Sequence, residues 1–329
     1  MGTTTYGDIG QRTAAWAAAT MLKHAMPVIV LQKFAALKEM PKNKANTVKF
    51  RRPIPFAAAT TPLVEGVTPS AQKMQYEDVT AVLRQYGRPI EITDVVNDLA
   101  EDPVLRDASV LAGEQAALTM EMITWGVIKA GTNVFYGNGA SRSAVNTAIS
   151  LNKQRAVTRA LQAQKAWRIT TILDGSPKYR TKPIEASYVA VGHTNLDSDI
   201  RNLTGFTPVA EYGSRQPISE YEVGAVETVR YVLSPELEPF EEAGSSTLNS
   251  MLGTSNVDVY PIIYIGKESY GVVPLAGAGS ITPIVLNPGK ADKSDPMGQR
   301  GYVSWKAYFT AVILNENWLA RLEVGCTAL

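Results

Sequence analysis

Residues 103–130 carry the signals of one unusually long helix, and this feature constrains the fold more than any other. Asp102 is a good N-cap, Pro103 suits the first helical position, and Gly131 can end the helix. The apolar face consists of Val104, Ala108, Leu111, Leu118, Met122 and Trp125. The polar stripe consists of Asp107, Glu114 and Glu121. A continuous helix of this length would measure about 42 Å, which predicts an extended molecule.

An extended segment, 46–93, precedes this helix. Apolar side chains at alternate positions predict its first strand, and they are Val48, Phe50, Ile54 and Phe56. Pro53 and Pro55 place that strand at a sheet edge. A second extended stretch occupies 74–93, and the long connection 57–73 carries one acid and one base. We therefore predict a long two-stranded finger.

The tip of this finger is centred on Glu65, Gly66 and Val67. An isolated hairpin buries too little surface to be stable, so the finger should rest on a partner subunit. The candidate intersubunit contacts in this segment are Lys49, Arg51, Arg52, Glu65, Gly66, Val67, Met74 and Tyr76.

The rest of the chain mixes helix and short strands, which predicts the α+β class. A cationic helix follows Ser150 and covers roughly 151–168. Short strands are predicted at 187–192, 226–234, 258–266 and 269–275. A long strand at 302–314 has an unbroken apolar face, and a turn at 315–317 leads to a returning strand that ends near Val324.

Charge is balanced overall but segregated along the chain. The net charge is +1, which argues against a strongly basic nucleic-acid binder. Residues 1–55 and 150–183 each carry +7, whereas 216–242 carries −6. Complementary patches between copies of the chain would explain this segregation, and solvated faces are the alternative. The candidate acidic contacts are Glu220, Glu222 and Glu227; the candidate DNA-facing basic residues are Lys42, Lys44, Arg155 and Arg159.

The sequence offers little catalytic chemistry, and we expect no enzyme, cofactor or metal. The P-loop, nucleophile-elbow and zinc-protease motifs are missing. His193, Asp197 and Asp199 are the best metal ligands for an alternative hydrolase, but acids also suit the first turn of a helix. The single cysteine, Cys326, excludes an internal disulfide and suits packing. We expect no membrane span, because Lys23, His24, Pro27 and Lys33 interrupt the apolar segment 14–34. We expect no signal peptide, because residues 1–10 contain no cationic side chain.

Short motifs along nearly the whole chain carry a resemblance to one family. They are Thr5–Ile9, Arg12–Ala15, Val48–Pro53, Glu65–Pro69, Ile92–Val95, Val191–Thr194 and Asp295–Gly301. In this order they resemble the major capsid proteins of tailed bacteriophages, in the family typified by a large-virion podovirus of enteric bacteria. The resemblance implies the common tailed-phage capsid fold. It also implies pentamers and hexamers in an icosahedral head that encloses double-stranded DNA without sequence specificity, and an encapsulin-like shell is the alternative.

The resemblance also divides the chain into the parts of that fold. They are an N-terminal arm (1–45), an extended loop (46–93), a spine helix with part of the peripheral domain (94–150), a cationic helix and connection (151–183), an axial domain (184–300) and closing peripheral strands (301–329). The expected partners are copies of the chain itself, together with scaffolding, portal and decoration proteins. The expected location is the virion, with the host cytoplasm during assembly. No built-in scaffolding segment is expected, and the resemblance assigns no cross-link between subunits.

Overall fold

The computed structural model describes residues 29–43, 45–63, 65–66, 68–94, 104–173, 181–213, 215–275, 281–286 and 295–329. The helices are α1 (Val104–Lys129), α2 (Leu151–Ala163) and α3 (Asp197–Arg201). The strands are β1 (Ala36–Leu37), β2 (Thr47–Pro53), β3 (Tyr76–Val82), β4 (Arg84–Thr93), β5 (Val134–Tyr136), β6 (Ile169–Leu173), β7 (Thr181–Gly192), β8 (Phe206–Pro208), β9 (Glu222–Val226), β10 (Val229–Leu233), β11 (Tyr260–Ile265), β12 (Tyr270–Pro274), β13 (Ile281–Leu286), β14 (Arg300–Ile313) and β15 (Leu319–Val324). None of the described helices is long and apolar enough to cross a membrane.

The larger sheet has the strand order β5-β15-β11-β7-β10-β9-β8, with β6 also paired to β7. Every residue of β10, β11 and β15 is buried, because both faces of the sheet are covered. Val189, Val191 and Ile263 belong to the same apolar cluster as Trp125 of α1. The neighbouring Tyr188 and Ala190 belong instead to a cluster with α2.

The smaller sheet is built on the 14-residue strand β14. One edge of β14 pairs with β12 and β13, and its other edge pairs with β4 over ten residues. The predicted apolar face is confirmed from Val303 to Ala311, and it lies in one cluster with the alanines of α1. Small side chains at Ala108, Ala112 and Ala116 leave room for Trp305 and Phe309, because packed interiors match large groups to small ones.

The long helix is confirmed, but its predicted buried face is partly wrong. Leu111 and Leu118 are exposed, whereas Glu121 of the polar stripe is fully buried. The alanine row beside them makes the contact with β14, so these two leucines point outward. Asp102 and Pro103 lie outside the described residues.

The predicted finger is too long at its second strand. β2 pairs with β3 from Thr47↔Val82 to Pro53↔Tyr76, so the two-stranded part ends at Val82. The chain then enters β4 and joins β14 in the smaller sheet. This strand belongs to the body because Ile90 and Ile92 pack into the main core.

Three other sequence predictions need correction. The cationic helix ends at Ala163, and the predicted strand 226–234 is the second half of the β9–β10 hairpin. The returning strand β15 does not pair with β14; it lies between β5 and β11. Segment 301–329 is therefore shared by both sheets, and β12 and β13 place part of 184–300 in the smaller one. Every residue of β15 is buried, which requires that both faces of its sheet be covered, and the larger sheet meets this condition.

Candidate assembly interface

The root of the finger packs on the body. Val48 and Ala81 form a small apolar core with Met40 and Val273. Phe50 lies against Gly271, where a Cβ would approach the Phe50 ring to 3.1 Å. A glycine at this position therefore allows the ring to pack directly on the smaller sheet.

The arm adds a polar contact to this root. Lys38 Nζ donates to the carbonyl oxygen of Lys49 at 2.6 Å and lies 5.0 Å from the centre of the Phe50 ring. The Lys49 side chain itself is exposed, and its role as an intersubunit contact stays a prediction.

The charges along the finger are largely paired across its two strands. Arg51 donates from Nε and Nη2 to the two carboxylate oxygens of Asp78, at 2.8 and 2.9 Å. This hydrogen-bonded guanidinium lowers the pKa of Asp78. Arg52 forms an ion pair with Glu77 in the same way. Arg51 and Arg52 thus form ion pairs within their own chain, and their contacts with a neighbouring subunit stay a prediction.

Beyond these pairs the finger exposes apolar side chains. The exposed set is Ile54, Phe56, Leu63, Met74 and Tyr76. Every described residue from 54 to 75 is exposed. Gly66 has φ +77° with open space around it, and Glu65 is exposed, whereas Val67 lies outside the described residues. Several exposed apolar side chains on one segment favour a contact with another protein, which stays a prediction.

The acidic stretch is a poorer source of contacts than the sequence indicated. Glu222 is buried and accepts hydrogen bonds from Tyr212 Oη at 2.8 Å, the Ile218 amide at 2.6 Å and Arg230 Nε at 2.7 Å. Its prediction as an intersubunit contact is wrong, because the β9–β10 hairpin brings Arg230 beside it. Glu220 remains exposed on the wall of an open cleft of about 450 Å³.

The candidate DNA-facing residues differ in what they contact. Arg155 Nε donates to Glu227 at 2.8 Å, so this arginine and this predicted acidic contact neutralise each other within the chain. Arg155 nevertheless remains exposed, and its role as a DNA-facing residue stays a prediction. Lys42 and Arg159 are exposed, and Lys44 lies outside the described residues.

The three proposed metal ligands do not converge. His193 Nδ1 accepts from the Asn195 amide, and Asp197 pairs with Arg201. Asp199 is buried and accepts from the Thr327 amide at 2.9 Å and hydroxyl at 2.6 Å. Across the described part of the chain no cluster of three metal-binding side chains occurs.

Cys326 packs in the core next to this region. The thiol is buried, and burial raises its pKa to about 12, so it is an unreactive packing residue. Because the three proposed metal ligands, His193, Asp197 and Asp199, do not converge, the geometry gives no support to the hydrolase alternative.

Sequence reasoning missed some exposed apolar positions outside the finger. Leu111 and Leu118 lie seven residues apart on the outer side of α1, and Ile284 and Leu286 are exposed on β13. Spacing of seven residues would have indicated that the two leucines share a helix face, but not that this face is outward.

Comparisons with known proteins identify the fold. The sequence profile described as phage capsid protein matches residues 76–322. The major capsid protein of Pseudomonas phage KPP21 is 20% identical over 174 residues, which are 50% of this chain and 44% of that protein. The match thus spans less than half of this relative's length.

Solved capsids share the architecture over almost their whole length. The capsid of Ralstonia phage GP4 has a TM-score of 0.64 at 12% identity, covering 90% of this chain and 89% of that one. The cyanophage Pam1 capsid gives 0.62 at 13%, covering 93% of each chain. The fold is therefore that of phage shell subunits. Since the family profile covers most of the sequence, the chain belongs to the phage capsid protein family.

Proposed function

We propose that the chain is a structural subunit that assembles with copies of itself, as pentamers and hexamers, into the icosahedral head of a tailed phage. The role is structural rather than catalytic. Membership of the capsid family and the shared fold support this proposal. The match to phage capsid proteins also favours a phage head over an encapsulin-like compartment.

The finger is the observation that carries the proposal. Its root packs with Met40 and Val273 of the body, but the described residues 54–63 and 68–75 are exposed. Burying an aromatic or aliphatic side chain contributes roughly 1.5–3 kcal/mol, and this stabilisation is available only on contact with another molecule. A neighbouring subunit would therefore supply the surface on which Ile54, Phe56 and Met74 pack.

The test is a charge placed in the exposed apolar surface. Phe56→Asp should leave the melting temperature of the unassembled subunit nearly unchanged, because Phe56 is already exposed there. It should abolish particles, since a buried unpaired charge costs several kcal/mol at every interface. Phe56→Tyr is the matched control, because it keeps the ring and should assemble normally.

Particle counts by electron microscopy and sedimentation decide the outcome. Normal shells from Phe56→Asp would show that the finger does not dock on a neighbour. A large loss of subunit stability would show that Phe56 supports its own chain, and that outcome would also contradict the interface.

The enclosed double-stranded DNA is a second expected partner, contacted without sequence specificity. Lys42 and Arg159 are the exposed basic residues that suit phosphate contacts. Arg159→Glu should reduce the DNA held per particle without changing particle number, and an unchanged DNA content would exclude this contact. Scaffolding, portal and decoration proteins are further proposed partners, consistent with the family.

A further inference from the structure

Glu121 occupies an unusual position in the middle of α1. Its side chain is completely buried. Oε1 accepts the backbone N–H groups of Val30 at 3.1 Å and Leu31 at 2.9 Å. These residues begin the 3₁₀-helix Leu31–Phe34, whose first N–H groups have no partner within the helix itself. One carboxylate oxygen thus caps the segment by which the N-terminal arm joins the body.

A second contact holds the same segment from the other side. The Tyr270 hydroxyl of β12 donates to the Leu31 carbonyl oxygen. Val30, Leu31 and Phe34 are buried in the main core, beside α1 and the smaller sheet. We call residues 30–34 the arm anchor. Its position therefore depends on a short set of polar contacts around one carboxyl group.

This carboxyl group lacks the cation that other buried glutamates hold. Glu222 pairs with Arg230, and Glu323 pairs with Arg142 and Arg321. Among the described residues, no ion pair is formed by Glu121, and its Oε2 has no hydrogen-bond partner. A buried carboxylate without a cation is costly when ionised.

We propose that Glu121 is a proton-operated latch: the neutral carboxyl group keeps the arm anchor in the core, and its ionisation favours release of the anchor. The charged and titratable groups that face it are Lys33 of the 3₁₀-helix, Glu236 of the β10–β11 connection and the Tyr270 hydroxyl of β12. Lys33 favours the ionised form without forming an ion pair with it, and Glu236 opposes that form, so the carboxyl group has no full counter-charge.

The direction of the pH effect follows from the two states of the latch. Burial raises the pKa of Glu121 from 4.5 to about 7 in the closed state, against the opposing hydrogen bonds from Leu31 and Val30. In the released state the carboxyl group meets water and regains its ordinary pKa. Release therefore becomes more favourable as pH rises through the interval between the two values. From pH 5.5 to pH 8.5 the release constant should increase about thirtyfold, and little change should follow above that.

Amide hydrogen exchange on the unassembled full-length chain tests the latch. The Val30 and Leu31 amides are direct reporters, because they donate to Glu121. After correction for intrinsic exchange, their protection should fall about thirtyfold from pH 5.5 to pH 8.5. Glu121→Gln keeps an acceptor oxygen but cannot ionise, so its protection should not depend on pH.

Two controls separate the latch from a merely structural contact. Tyr270→Phe removes one anchor hydrogen bond, so it should lower protection at every pH but retain the thirtyfold dependence. Asp107→Asn changes an exposed carboxyl group on the same helix and should have no effect.

Three results would overturn the proposal. They are protection in the original chain that does not vary with pH, the same variation in Glu121→Gln, and protection of Val30 and Leu31 that equals that of Ile128 of α1 at every pH. The last result would indicate unfolding of the whole body rather than release of the anchor. It can be measured on the original chain even if Glu121→Gln does not fold.

Discussion

Removal of the buried carboxylate of Glu323 should be among the most damaging single changes in the larger sheet. Arg142 donates from Nε to Oε2 and from Nη2 to Oε1, both at 2.8 Å, and Arg321 Nε lies 2.8 Å from Oε1. Both guanidinium groups, and the Lys129 ammonium group, also lie within 6 Å of the Phe240 ring. Glu323 is thus the anion that balances a cluster of cations.

The magnitude follows from the environment of this cluster. Breaking a buried ion pair by removing one partner costs about 3–5 kcal/mol, because the remaining charge is left uncompensated. Glu323→Ala leaves two close guanidinium groups, and burial already lowers the pKa of Arg321. For a chain of this length, a loss of about 4 kcal/mol corresponds to a decrease of about 6 °C in the melting temperature. Glu323→Gln keeps the shape but also removes the negative charge, so it should be strongly destabilising as well.

Calorimetry of the unassembled subunit measures this effect. Asp78→Ala is the matched control, because Asp78 also binds an arginine through two hydrogen bonds, but on the solvent-exposed finger. That change should barely move the melting temperature, since exposed ion pairs contribute little. Equal shifts for Glu323→Ala and Asp78→Ala would refute the reasoning that burial makes the difference.

Three further results are expected. Gly224→Ala should destabilise the subunit by about 1–3 kcal/mol in denaturant titrations, because the added Cβ would lie 2.4 Å from the Phe206 ring. Gly126→Ala should stabilise α1 by about 0.5–1 kcal/mol in the same assay, because the added Cβ meets open space. Because the folded pKa of Glu121 is raised, subunit stability should fall by about 3 kcal/mol between pH 4.5 and 7, a slope that Glu121→Gln should remove. His193→Ala should leave assembly intact. Elemental analysis of particles of the original chain should find no stoichiometric zinc, and the substitution should therefore not change the zinc content.

The main elements and the overall class could be predicted because their signals are local. The period of the apolar residues predicted α1 and β14, and both occur where expected. Proline and low charge predicted an edge hairpin with an exposed tip, and β2, β3 and the exposed residues between them agree. Such signals depend on neighbours a few positions away, which a sequence shows directly.

The candidate contacts were predicted less well, because charge in a sequence does not reveal its partner. Glu222 belongs to the acidic stretch, but the hairpin β9–β10 brings Arg230 beside it. Arg155 and Glu227 are 72 positions apart and neutralise each other. The described tip of the finger, around Glu65 and Gly66, is exposed as expected, and so are Met74, Tyr76 and Glu220.

By itself, the sequence determined where helices and strands form, because backbone conformation and amphipathic period are local properties. Only the tertiary structure decided which strands pair and which face of α1 is buried. The ladder hydrogen bonds of β4 and β15 join residues far apart in the chain, so their sheets could not be assigned from periodicity. Glu121 has the spacing of a solvated residue, but the fold places it against the amides of Val30 and Leu31. Those donors lie about ninety positions away, and only folding brings them to the carboxyl group.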